Sequence, residues 1–161
     1  MEETKSPKIM LTEEGYQRLS KRVEKEQEKM QQAREDMSRA ADYGDLSENA
    51  GYMAAKESYQ NHRLSLEEVR KVLSLARVVS KDEMNADRVE FGTTVTVRDL
   101  DREEEFSYRI VGRHEARMEK GEISIESPVA QGLLGKRPGD VTEVETPVGE
   151  KRFRVEKVEV K

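Results

Sequence analysis

Two segments of the chain carry apolar residues at alternating spacings of three and four, which is the heptad pattern of a coiled coil. The first pattern starts at Tyr16 and the second at Tyr52. The two seams are Tyr16, Leu19, Val23, Glu26, Met30, Ala33, Met37, Ala40 and Tyr52, Ala55, Tyr59, His62, Leu66, Val69, Leu73, Ala76. Both segments are therefore predicted to be long helices that bury one narrow face.

The connection between the seams is short, since only 11 residues separate Ala40 from Tyr52. A connection of this length predicts an antiparallel helical hairpin. Pairing the arms about a turn near residues 44–46 brings Glu26 within one helical turn of His62, as a polar layer that fixes register. Thr12 is a candidate N-cap for the first arm, with Glu13 and Glu14 after it.

The first arm is expected to follow a loose segment at residues 1–10 and to end near Ala41. The second arm is expected to start near Ser47 and to fade after Val79. Each arm of about 30 residues would be roughly 45 Å long at 1.5 Å per residue. A charged linker is predicted over 80–87.

From Arg88 onward the helical period gives way to alternation, which indicates β-strands. The predicted strands are Thr94 to Arg98, Glu105 to Val111, Glu122 to Glu126, Val141 to Thr146 and Arg152 to Val160. A short helix is predicted from Pro128, with proline in its first turn and Gly135 at its end. The fold class is α+β: an antiparallel coiled-coil domain over 1–80, then a small, mostly antiparallel β domain with one helix over 88–161.

Composition narrows the possible functions. The chain has 161 residues, 39% of them charged, with net charge −5, pI near 5.3 and no cysteine or tryptophan. Acidic residues outnumber basic ones in both halves, so neither half is a typical basic nucleic-acid-binding module. Without cysteine there is no thiolate metal site or disulfide. No secretion signal or membrane-spanning run is evident, so we expect a cytoplasmic protein with no membrane partner.

The expected hairpin end is acidic, with Asp42, Asp45 and Glu48 close together in sequence. One interpretation is structural: Asp45-Leu46-Ser47-Glu48 fits a capping box in which both acids only start the second helix. The other is chemical, because two nearby carboxylates can hold Mg²⁺ whose remaining ligands are water and phosphate. Such a site is incomplete alone, but inside another enzyme's active site it could help activate water for phosphodiester hydrolysis.

Two runs of sequence resemble the signatures of the bacterial Gre transcript-cleavage factors, and within them the GreA type. The first is Tyr-Gly-Asp-Leu-Ser-Glu-Asn-Ala-Gly-Tyr over 43–52, and the second is Ser-Pro-Val-Ala-Gln-Gly-Leu-Leu-Gly-Lys over 127–136. The resemblance implies a coiled coil followed by a domain of FKBP-like fold without isomerase activity.

The resemblance also implies a function. The coiled coil would enter the secondary channel of a bacterial RNA polymerase elongation complex, where Asp45 and Glu48 help hold catalytic Mg²⁺. The polymerase would then cut its own backtracked nascent RNA, so the protein would be an accessory factor and not an enzyme. Mg²⁺ would be shared with the polymerase and not stably bound by the free protein, which we expect to be a monomer.

Four further residues match family positions or lie beside them. Lys56 matches a position that faces the extruded RNA, while Ser127 and Pro128 match the loop that contacts the channel rim. Relatives in the family carry a basic residue just before the tip, where this chain has Ala41. Fewer basic residues are therefore expected beside the RNA, although Arg39 lies nearby.

Two other functions stay open at this point. A regulator of the same architecture could enter the channel and inhibit, although the intact Gly-Asp-Leu-x-Glu-Asn motif argues against it. A coiled-coil adaptor or holdase would make no use of the tip carboxylates.

Overall fold

The computed structural model describes residues 8–44 and 49–161, which divide into two compact units. We call Tyr16–Ala76 the hairpin unit, and residues 8–15 together with Arg77–Lys161 the globular unit. No helix in the described ranges is long and apolar enough to cross a membrane.

The secondary-structure elements follow the order of the chain. Their bounds are β1 Ile9–Thr12, α1 Glu13–Ala41, α2 Ala50–Ser74, β2 Ala76–Val79, β3 Thr94–Asp99, β4 Glu104–Val111, β5 Glu122–Ser124, α3 Pro128–Leu133, β6 Val141–Thr146 and β7 Gly149–Glu159. Short 3₁₀ turns lie at Lys81–Glu83 and Met118–Lys120.

The hairpin unit buries most of the predicted seam, but Tyr16, its first position, is 38% exposed, and near the end of α2 Val72 is buried in place of the predicted Leu73. Leu19, Ala33, Ala55, Leu66 and Val69 are all buried at predicted heptad positions. The charged positions between them lie mostly on the exposed face, as expected for helices whose stability comes from one apolar stripe.

The predicted polar layer is confirmed. His62 Nδ1 lies 2.6 Å from Glu26 Oε2, and Glu26 is buried although it is a carboxylate. Arg22 adds an exposed ion pair to the same carboxylate at 4.0 Å. A buried polar pair of this kind is expensive to break by removing one partner, which is how it can fix the register of two helices.

The ends of the predicted hairpin need correction in three places. Residues 9 and 10 are not part of a loose arm, because Ile9 begins strand β1. The second helix starts at Ala50, not near Ser47, and ends at Ser74. The residues after it form β2, which pairs with β1 in a two-stranded sheet. A four-residue strand is too short to show an alternating pattern that differs from the end of a helix.

The globular unit is built on a five-stranded sheet in the order β5-β4-β3-β7-β6. The β4–β5 pair is parallel and the other neighbours are antiparallel, so the predicted α+β class is confirmed. Its core contains Val89, Val95, Val97, Ile110, Ile123, Ala130, Leu133, Val144, Phe153, Val155 and Val158. Helix α3 packs on β6 through Ala130, Leu133 and the close approach of Gly132 to Val144.

Strand β7 carries an irregularity that its sequence pattern partly reveals. Phe153 and Val155 are buried two residues apart, but the next buried residue is Val158. The pairing with β3 shifts at this point, since Val97 pairs with Val155 whereas Thr96 pairs with Lys157. The extra residue, Glu156, is a β-bulge that returns Val158 to the core face.

Candidate functional site at the end of the helical hairpin

Helix α1 ends in a tight turn. The amide of Asp42 donates to Arg39 O at 3.2 Å and that of Tyr43 donates to Ala40 O at 3.1 Å. Gly44 follows with φ = +133°, a backbone conformation that residues other than glycine rarely adopt. The chain therefore leaves α1 abruptly, and Asp42 and Tyr43 are exposed at the end of the helix.

Asn49 ties the end of α1 to the start of α2. Its side-chain oxygen accepts from the amide of Tyr52 at 3.0 Å, so Asn49 is the N-cap of α2. Its side-chain nitrogen donates to Ala40 O at 2.6 Å, which satisfies a carbonyl in the last turn of α1. The side-chain amide of Asn49 therefore forms hydrogen bonds with the end of α1 and the start of α2.

This arrangement bears on the two interpretations of the tip acids. Asp45 and Glu48 themselves lie outside the described residues. The described helix α2 has Asn49 as its N-cap, so the interpretation in which Asp45 caps that helix is wrong. Sequence reasoning missed Asn49 because the Asp-x-x-Glu spacing offered an earlier cap. The available signal was an asparagine followed three residues later by the first seam residue, Tyr52.

The two predicted RNA-contacting cations lie on different helices, Arg39 on α1 and Lys56 on α2. Arg39 donates to Asp36 at 2.5 Å on its own helix, and it lines a shallow groove with Ala54 and Ser58. Lys56 is exposed on α2 and lines another groove, together with Met53 and other α2 side chains. Within the described ranges Lys56 forms no ion pair, whereas Arg39 is paired with Asp36.

The predicted docking residues begin helix α3. The hydroxyl of Ser127 accepts from the amide of Ala130 at 3.2 Å, and Pro128 occupies the first helical turn. Proline is favoured there because backbone N–H groups in the first turn have no acceptor within the helix, so the absence of an N–H costs nothing. Pro128 is exposed while Ala130 and Leu133 are buried, so the start of α3 presents an apolar ring at the surface.

The described part of the chain offers no alternative metal centre, since it holds no group of three or more His, Asp or Glu arranged to bind an ion. The β6–β7 hairpin does gather carboxylates. A hydrogen bond with Glu143, together with the negative charge of Glu143, raises the pKa of Glu150, and Glu145 adds to the effect. These carboxylates are all exposed, so they are not a built cation site. Mg²⁺ prefers hard carboxylate oxygens and often takes only one or two from protein, and the assignment of Asp45 and Glu48 to this ion stays a prediction.

Comparison with known proteins decides the family. The N-terminal domain of the GreA/GreB transcription elongation factors matches residues 9–78, and the GreA/GreB C-terminal domain matches residues 83–160. The chain belongs to the GreA/GreB family. The GreA of Chloroherpeton thalassium is 38% identical over 97% of this chain and 99% of its own length. The GreA of Magnetococcus marinus is 41% identical over 93% of this chain and 96% of its own.

A solved structure is also similar, namely the GreA factor homolog 1 protein of Thermus thermophilus. It is 29% identical with a TM-score of 0.44, and the match covers 94% of this chain and 98% of that one. Membership of the GreA/GreB family confirms the resemblance carried by the two motifs and makes the chain a transcription elongation factor by family.

Proposed function

We propose that this GreA/GreB-family protein binds a bacterial RNA polymerase elongation complex through the secondary channel and stimulates cleavage of backtracked nascent RNA by the polymerase. The protein acts as an accessory factor, and the bond is cut in the polymerase active site. The observation that carries the proposal is the double role of Asn49. Because Asn49 caps α2 and also binds the end of α1, the hairpin closes without Asp45 as its cap.

Asp45 and Glu48 are the residues proposed to help hold Mg²⁺. Two carboxylates leave most of the coordination positions of Mg²⁺ to water, substrate phosphate and groups of the polymerase. The free protein would accordingly bind the ion weakly. When bound, Mg²⁺ lowers the pKa of a coordinated water and stabilises charge on the phosphate. The part of this chain is to carry the two carboxylates on a narrow two-helix end that can enter a channel.

Lys56 is proposed to contact the RNA. Its ammonium is exposed on α2, eight residues beyond Glu48 in sequence, and a cation there can offset the charge of a phosphate. Arg39 is a weaker candidate because its guanidinium is already paired with Asp36. The exposed Ala41 supplies no charge, so the RNA contact rests chiefly on Lys56.

The start of α3 is proposed as the docking surface for the polymerase. Pro128 is exposed at the first turn of a helix whose opposite side is fixed in the core by Leu133. An apolar ring on a rigid element can bind a partner at little entropic cost. We expect the protein to act as a monomer in the cytoplasm, where the polymerase lies.

The proposal is tested by adding the protein to a purified, backtracked elongation complex with Mg²⁺ and 3′-labelled RNA. We expect short 3′ fragments to appear much faster than with the polymerase alone, and the shortened RNA to be extended when nucleotides are added. Binding without fragments, together with slower extension, would identify an inhibitor of the same architecture. Absence of both binding and fragments would favour an adaptor or holdase.

A further inference from the structure

A buried carboxylate joins the loop after β4 to the start of α1. Glu115 is 3% exposed, and its Oε2 accepts from the amides of Thr12 at 2.8 Å and Gly112 at 3.1 Å. The hydroxyl of Thr12 donates to Oε1 of the same carboxylate. Hydrogen bonds to an ionised acceptor are about twice as strong as neutral ones. Glu115 therefore binds the last residue of β1, directly before the first turn of α1.

Two glycines allow this close approach. A Cβ atom at Gly15 would overlap the Glu115 carboxylate, and a Cβ atom at Gly112 would overlap the carbonyl oxygen of Met10. Gly15 lies in the first turn of α1, and glycine is among the least favourable residues for a helix. A glycine at that position is explained by the carboxylate that lies against it.

Further interactions stabilise the first turn of α1. Thr12 Oγ1 accepts from the amide of Gly15 at 3.1 Å and so caps the helix. Glu14 forms ion pairs with Arg109 at 3.2 Å and with Lys81 at 3.6 Å. We call Thr12, Glu14, Gly15, Arg109 and Glu115 the root cluster. All of it lies in the globular unit, although α1 continues without a break to Ala41.

We propose that Glu115 is a positioning residue for the cleavage-stimulating reaction: it anchors the first turn of α1 in the globular unit, so that docking by this unit constrains the helix that leads to the tip. The inference rests on the proposed function. It predicts that loss of the anchor lowers the rate of RNA cleavage by the polymerase with the factor bound. The affinity of the factor for the polymerase should stay nearly unchanged. A misplacement of about 1 Å at a reacting centre can cost up to about 100-fold in rate.

The test measures the initial rate of RNA cleavage against factor concentration for Glu115→Ala, Glu115→Gln and Thr12→Val. For Glu115→Ala we expect the rate at saturation to fall about tenfold, with the half-saturating concentration changed less than about threefold, well below one tenfold step in affinity. Glu115→Gln should recover part of the loss because its amide oxygen can still accept from both backbone amides. Thr12→Val removes only the hydroxyl and covers the case in which Glu115→Ala does not fold.

The matched control is Val97→Ala, which leaves a cavity in the sheet core away from the root cluster and lowers the melting temperature. Below its melting temperature it should keep the wild-type rate at saturation. Hydrogen exchange gives an independent readout: the amides of Thr12 and Gly112 should lose protection in Glu115→Ala and not in Val97→Ala. Equal saturating rates in Glu115→Ala, Thr12→Val and Val97→Ala would overturn the anchor. Absence of cleavage with the wild-type protein would instead overturn the proposed function.

Discussion

The hairpin unit and the globular unit bury their side chains in different ways. In the globular unit the core side chains contact one another across a sheet and a helix, and Val95, Val97 and Ile110 are fully buried. In the hairpin unit the buried positions form a single seam, and the layer at Glu26 and His62 is polar. The first arrangement gains stability from a continuous apolar core, whereas the second gains it from one narrow apolar seam.

The largest expected effect is a loss of stability that is confined to the globular unit. Phe153 is 2% exposed in the centre of the sheet core, and Phe153→Ala should cost about 3–5 kcal/mol. Hydrogen exchange followed peptide by peptide should show lost protection across β3 and β7, with protection of the α1 and α2 seam retained. Val148→Ala, at an exposed turn position, is the control with no expected change. Equal loss of protection in both units would mean that they unfold together.

The polar layer offers a sharper test of the seam. Glu26→Leu alone should destabilise the hairpin by about 1–3 kcal/mol, because it leaves His62 without its partner in a partly buried site. Glu26→Leu with His62→Leu should restore or raise the thermal stability, since well-packed apolar residues often replace a buried ion pair without loss. The measurement is thermal unfolding followed by helical circular dichroism. A double variant less stable than the wild-type protein would show that the polar layer adds net stability.

A smaller effect is expected where the two helices meet. Asn49→Asp keeps a capping oxygen but cannot donate to Ala40 O, whereas Asn49→Ala removes both interactions. We expect Asn49→Ala to cost about 1 kcal/mol and Asn49→Asp to cost less in stability. Both should raise amide exchange at Asp42 and Tyr43. Unchanged exchange in Asn49→Ala would remove Asn49 from its bridging role.

The smallest effect is a pH dependence at the base of α1. Burial tends to raise the pKa of Glu14, but its backbone hydrogen bond and the cations Arg109 and Lys81 outweigh burial and lower it. Glu14 therefore adds stability at pH values above the ordinary pKa of glutamate, and this is lost as pH falls through the depressed folded pKa. The Glu14 side chain is 46% exposed and therefore screened by water, so the effect is well under 1 kcal/mol. Urea unfolding between pH 3 and 7 should show a slightly shallower acid slope for Glu14→Gln, and an identical slope would contradict this.

Sequence reasoning predicted the regular parts of both units for a physical reason. The hairpin was predicted because heptad spacing kept over eight positions is typical of a coiled coil and rare in other structures, and this long pattern also fixed the Glu26–His62 register. Strand β6 was predicted with its observed bounds, because its residues alternate and the proline that follows Thr146 is typical of a turn.

The parts that sequence reasoning missed depend on contacts between distant residues. Strand β1 is explained by its pairing with β2 and by Glu115, 103 residues beyond Thr12. The bulge at Glu156 depends on the register of β7 against β3. At the tip, local spacing favoured Asp45 as a cap, whereas Asn49 can also reach the end of α1. Only the three-dimensional closure of the hairpin distinguishes these two caps.

In the proposed function the globular unit binds the polymerase, and the tip carboxylates help hold Mg²⁺ for RNA cleavage. The most direct test compares the wild-type protein with the Asp45→Asn, Glu48→Gln double variant on a backtracked elongation complex, measuring polymerase affinity and the rate of RNA cleavage in the same titration. Neutral amides are poor Mg²⁺ ligands but keep the size of the side chains. Pro128→Glu is the reverse control and should weaken affinity while leaving the saturating rate unchanged.

For the double variant we expect wild-type helicity and affinity with cleavage reduced at least about 100-fold, and a partial recovery at higher Mg²⁺ by mass action. Cleavage at the wild-type rate by the double variant, with affinity intact, would contradict the account and leave the hairpin end as a structural turn.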